Sequence, residues 1–229
     1  MGFLNLNQIE NKFLDIRNRD LWNYLSEKYT IGVNDEYSFY KLDYLDEINP
    51  VYILTDKSYS KSLFTHELLH LELRSFGFDA SQALPESYLL MNSDVEKFRS
   101  QIAYNLANNI EHIIFLKRYK ELGFPMIEFV SDYYTSNYSE NFFAQFNYIK
   151  LNPLLENIYD LFFLSSYITM YSELKNELNR GVELGKLLEI NSELYSKVNY
   201  FGNFIEELNP YLDNKAQTKL KNAIGELII

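Results

Sequence analysis

The sequence predicts a mainly α protein with a small N-terminal β-sheet, an α+β arrangement, and three observations carry that expectation. Apolar residues recur at helical spacing over most of the chain after residue 60. Short stretches rich in aromatic and β-branched residues are confined to about 29–56. Glycines stand where the long helical patterns stop.

The elements follow in order. Residues 7–29 place Ile9, Phe13, Ile16, Leu21, Trp22 and Leu25 on one face, which predicts an amphipathic helix. "YTIGV", "YSFYKL" and "VYILT" then predict a sheet of two or three strands, separated by Asn, Asp and Pro. A helix is expected from about Lys61 to Phe76, stopping at Gly77, and a second long one from about Ser93 to Leu122, stopping at Gly123. Both end in Gly-Phe, which suits a left-handed glycine cap with a hydrophobic contact back onto the last turn. Further helices are expected over 139–151, 153–178, 182–208 and 213–227, punctuated by Asn152-Pro153, Asn179-Arg180-Gly181 and Asn209-Pro210.

Composition narrows the function. A net charge of −11 with no Lys/Arg block leaves no track for nucleic acid, because the phosphate term would be repulsive. There are no cysteines, so thiol catalysis, Cys-ligated zinc and disulfides are excluded, and a reducing compartment, the cytoplasm, is expected. The first residues do not read as a signal peptide. "LFFLSSYITMY", flanked by Asp160 and Glu173, is too short to span a bilayer and is expected to be a buried helix. Aromatic residues at 17% predict a well-packed interior or a ring-lined groove.

The chemistry concentrates in "SLFTHELLHLEL", where His66, Glu67 and His70 spell His-Glu-x-x-His. On a helix, i and i+4 share a face, so both imidazoles can address one metal ion while Glu67 reaches a metal-bound water. With only three histidines in the chain, the pattern arises by chance in roughly one shuffled sequence in three hundred. Glu72 departs from the usual pattern, which has an apolar residue two places after the second histidine.

A catalytic zinc needs a third protein ligand. The remaining histidine, His112, follows Glu111 in "LANNIEHIIF" on the second long helix, where a neighbouring helix can face the first. The apolar stripe Val95, Phe98, Ile102, Leu106, Ile110, Ile113 places Glu111 and His112 at similar angles on opposite sides, so the helical wheel does not choose between them. Asn108 can support either by hydrogen bonding.

His66-Glu67-x-x-His70 followed by Asn108-x-x-Glu111 resembles the zincin metallopeptidases, and within them the gluzincins, whose third ligand is glutamate. The resemblance covers about 50 of the 229 residues. It implies a zincin-like fold with the His-Glu-x-x-His helix packed on a second long helix, with His66, His70 and Glu111 as zinc ligands and Glu67 as general base. His112 is outside the usual glutamate-ligand pattern and is the alternative third ligand. The strand "PVYILT" would fit the zincin edge strand that pairs with substrate backbone, or belong to the core sheet. A boundary near 125 would separate a zincin-like catalytic region, 1–125, from a helical region, 126–229, packed into the same domain.

Other readings are weaker. Tyr133 and Tyr134 are conceivable oxyanion stabilisers, but 20 tyrosines give no basis for choosing one. Glu67-x-x-His70 also matches a di-iron element, yet the second Glu-x-x-His that such a site needs is missing, since Asn109 stands three residues before His112. The expectation is a zinc-dependent metallopeptidase with Zn2+ as cofactor and a peptide or protein substrate, acting without nucleic acid or membrane. The alternative is a metal-binding or degenerate zincin used as a regulatory interaction module.

Overall fold

The computed structural model describes residues 3–36, 41–44, 50–55, 57–129, 140–175 and 180–228. It is mostly helical with one small sheet near the N-terminus, as expected. Its contacts group into two compact units, neither a single stretch of chain: Met1–Ser75 with Lys117–Phe129, and Phe76–Leu116 with Val130–Ile229.

The first unit opens with two helices where one was expected, α1 (Leu6–Phe13) and α2 (Arg19–Lys28). The break is side-chain chemistry. Asn18 accepts a hydrogen bond from the Asp15 amide at 2.9 Å and donates to the Phe13 carbonyl at 2.9 Å, offering the backbone an alternative to the helix. Ile16, expected on the apolar face, is 92% exposed on the resulting turn. Ile9, Phe13, Leu21, Trp22 and Leu25 are buried as the periodicity required.

The sheet has three strands, β1 (Ile31–Asn34), β2 (Lys41–Tyr44) and β3 (Val51–Leu54), in the order β1-β3-β2. Ile31 pairs with Val51 in parallel, and Lys41 pairs with Leu54 antiparallel. β3 is therefore the central strand. Both its edges are occupied, so "PVYILT" is core sheet and not a free edge for substrate. Residues 37–40 of the expected strand "YSFYKL" lie outside the described residues.

Helix α3 (Lys61–Ser75) lies in the same unit and is buried from Thr65 to Leu73 without interruption. Polar side chains are buried on it beside the apolar ones, Thr65, His66, Glu67, His70 and Glu72 among them, and groups so placed require partners. Phe64 stacks on Phe13 at 4.7 Å and meets Trp22 at 5.8 Å, while Asn18 donates to Thr65 Oγ1 at 2.8 Å. The loop that breaks α1 from α2 is thus also what grips α3. Gly77, with φ +75°, follows α3 as expected, and Phe78 is buried.

Helix α4 (Asp94–Glu121) runs unbroken through both units. It opens with a capping box: Glu96 N–H donates to Ser93 Oγ at 3.2 Å, and Ser93 N–H to Glu96 Oε2 at 3.0 Å. It stops at Gly123, φ +75°, with Phe124 buried. Its last turns join the first unit, where Tyr119 is hydrogen-bonded to Ser62 of α3 and Arg118 Nε sits 3.7 Å from Glu72. The buried Glu72 therefore has a cation partner, which accounts for a charge in an apolar position. A short helix, α5 (Met126–Phe129), closes this unit with Phe129 against Tyr119 at 4.6 Å.

The second unit holds α6 (Glu140–Leu151), α7 (Tyr159–Lys175), α8 (Gly181–Ile190), α9 (Ser192–Glu207) and α10 (Ala216–Ile228). α7 starts later than expected because Asn152 accepts from the Leu154 amide at 3.0 Å, holding a turn after α6. The helix expected over 182–208 is two, broken at Asn191, whose side chain accepts from the Leu194 amide and caps α9. The apolar run of α7 is buried core: Phe162 lies 4.7 Å from Phe146, and Tyr167 stacks on Tyr171. Their hydroxyls donate to Asn199 and Asn203 of α9 at 2.8 and 3.1 Å, satisfying the polar ends of buried rings. Among the described residues no helix is long and apolar enough to cross a membrane.

Candidate metal centre

The site starts from helical spacing. One turn apart on α3, His66 Nε2 and His70 Nε2 approach to 3.2 Å. Two nitrogens bound to one tetrahedral zinc at Zn–N of about 2.0–2.1 Å lie roughly 3.3 Å apart, so this pair already has the edge length of a metal site. His66 packs against Phe129 at 5.0 Å. Burial, and secondarily the neighbouring His70, holds its imidazole well below the ordinary value of 6.5. A neutral imidazole is the form that binds metal.

His112 supplies the third nitrogen. It lies on α4. One ligand nitrogen from each of His66, His70 and His112 lies within 4.8 Å of the others, and all three residues are buried. This is a group able to bind a metal ion. Among the described residues no carboxylate joins the group, and three imidazoles leave a tetrahedral ion one further position.

Glu111, the ligand that the gluzincin resemblance implied, is placed elsewhere. Its buried carboxylate accepts a hydrogen bond from the Ala80 amide at 2.9 Å, at the start of a 3-10 turn, Ala80–Ala83. That turn is tied in its own unit to α10, because Gln217 exchanges hydrogen bonds of 3.0 and 2.9 Å with the backbone of Asp79. Glu111 thus satisfies a helix-start donor, as carboxylates do at such positions. Asn108, expected to support either candidate, is exposed. The buried neighbour is Asn109, which donates to the Asn105 carbonyl at 2.7 Å and to Thr169 Oγ1 at 3.0 Å.

Glu67 lies on the turn between the two histidines, and its Oε1 accepts a hydrogen bond from the Tyr59 hydroxyl at 3.0 Å. Both residues are buried. Tyr59 was not singled out by sequence, for it is one of 20 tyrosines in an irregular stretch with no periodic signal. Tyr133 and Tyr134 lie outside the described residues. No family model, curated protein or solved structure matches this chain.

Proposed function

We propose that the chain is a zinc-dependent hydrolase of peptide bonds, with His66, His70 and His112 as ligands and Glu67 as general base. The observation that supports this reading is the grouping of three buried imidazoles, two of them flanking a carboxylate on the same helical turn. His66, His70 and His112 would hold the zinc, which when bound would supply Lewis acidity and lower the pKa of a water there to about 7. Glu67, with Oε1 fixed by Tyr59, takes a proton from the attacking water and passes it to the leaving amine. Glu111 acts structurally in this reading, holding the Ala80 turn. The peptide substrate comes from the zincin resemblance, and the absence of cysteine suits action in the cytoplasm.

A specific observation favours a second reading. His66, Glu67, His70 and His112 are only 2%, 8%, 7% and 0% exposed, which is the closed environment of a structural metal site. In that case the metal braces a regulatory interaction module. Metal analysis of the purified chain, followed by a peptide-library cleavage screen beside Glu67→Gln, separates the two. Cleavage lost in Glu67→Gln with metal retained supports the hydrolase. Stoichiometric metal with no cleavage by the parent chain supports the module, and absence of metal overturns both.

A further inference from the structure

A separate feature lies wholly within the second unit. A cavity of about 680 Å³ is lined by Tyr88, Arg99 of α4, Lys150 of α6, Glu156, and Tyr159 and Asp160 of α7. Its size is that of a small-molecule pocket. Its charge is balanced, two cations against two carboxylates. Yet among the described residues Lys150, Glu156 and Asp160 form no ion pair within 4.0 Å.

Arg99 is the anchor. Its side chain is only 12% exposed, and its nearest carboxylate oxygen, Glu96 Oε1, is 3.9 Å away. Glu96 is already engaged through its other oxygen with the Asn92 and Ser93 amides, at 2.8 and 3.0 Å. The guanidinium carbon lies 5.6 Å from the Tyr88 ring centroid, and the buried Nε has no acceptor among the described residues. A guanidinium is a fork of donors suited to a carboxylate, and one this buried is short of acceptors.

We propose that this cavity binds a zwitterionic α-amino acid with an aromatic side chain. Its carboxylate meets Arg99 and Lys150, its ammonium meets Asp160 and Glu156, and its ring lies with Tyr88 and Tyr159. Balanced lining charge disfavours polyanions such as nucleotides, which two carboxylates would repel. It favours a ligand that carries both signs. The proposal is independent of the metal centre.

The test is calorimetric titration of the full chain with L-phenylalanine, N-acetyl-L-phenylalanine and L-phenylalaninamide, none of which has a peptide bond between residues to be cleaved. Saturable one-to-one binding of the free amino acid is expected. Each blocked analogue, lacking one charge, should bind roughly tenfold or more weakly, as should Arg99→Gln and the exposed-site variant Asp160→Asn. Circular dichroism checks that the variants fold, and Asp160→Asn carries the test if Arg99→Gln does not. No saturable binding of phenylalanine overturns the proposal. Equal affinity for a blocked analogue, or undiminished affinity in the folded variants, does the same.

Discussion

The Tyr59 hydroxyl donates to Glu67 Oε1 across 3.0 Å inside the first unit, eight residues before it in sequence. This bond fixes one oxygen of the carboxylate that shares a helical turn with His66. Tyr59→Phe removes one charge-assisted hydrogen bond to a buried carboxylate. The variant should lose about 1–3 kcal/mol of stability. Urea unfolding measures it, and an unchanged midpoint would mean the bond contributes nothing.

Metal binding divides the candidate ligands. His66→Ala, His70→Ala and His112→Ala should each abolish stoichiometric zinc, whereas Glu111→Gln should retain it while weakening the contact to Ala80. Metal titration of the four variants at one pH gives the answer. If Glu111→Gln releases zinc and His112→Ala keeps it, the third ligand is the glutamate after all.

Acid should destabilise the metal-free chain through His66. Its folded-state value lies well below the ordinary 6.5, chiefly by burial. Below 6.5 the unfolded chain takes up a proton that the folded chain refuses, so the stability is present above that pH and declines as pH falls. His66→Gln should flatten the dependence of the urea midpoint between neutral pH and about 5. Identical slopes for parent and variant would remove His66 as the cause.

Alkali acts through Tyr119. Burial pushes its phenol from 10.0 up to about 12, with the bond to Ser62 opposing the shift. The unfolded chain releases this proton first, so stability is full below pH 10.0 and is lost as pH rises toward about 12. Tyr167 and Tyr171 are raised in the same direction by burial, so the whole chain should lose structure at high pH. Circular dichroism between pH 9 and 12 should show a shallower loss for Tyr119→Phe, and an equal loss would exclude its contribution.

Zinc should add stability by mass action, because a site assembled from α3 and α4 does not exist in the unfolded chain. Thermal melts at rising zinc concentration should show a rising midpoint in the parent and none in His112→Ala. A midpoint indifferent to zinc would sink the metal site.

By itself the sequence determined what local chemistry can specify. The helix over His66 and His70, the long helix carrying His112, the Gly77 and Gly123 stops and the burial of α7 follow from spacing and glycine conformation, which act within a turn or two of chain. The breaks at Asn18 and Asn191 were less legible, since a single side chain outcompeted an otherwise continuous helical pattern.

Only the tertiary structure shows that His112, and not Glu111, groups with His66 and His70. The helical wheel presumed one buried face, but from Asn109 to Ile113 α4 is buried on every side, so angle carried no information. What separated the two were partners distant in sequence: the Ala80 amide for Glu111, and His66 and His70 for His112. The same holds for β3, whose central place depends on β1 and β2 pairing on either side, and for Tyr59, one tyrosine among 20. Side-chain type sets what a residue can bond. Which group it meets depends on where the rest of the chain brings it.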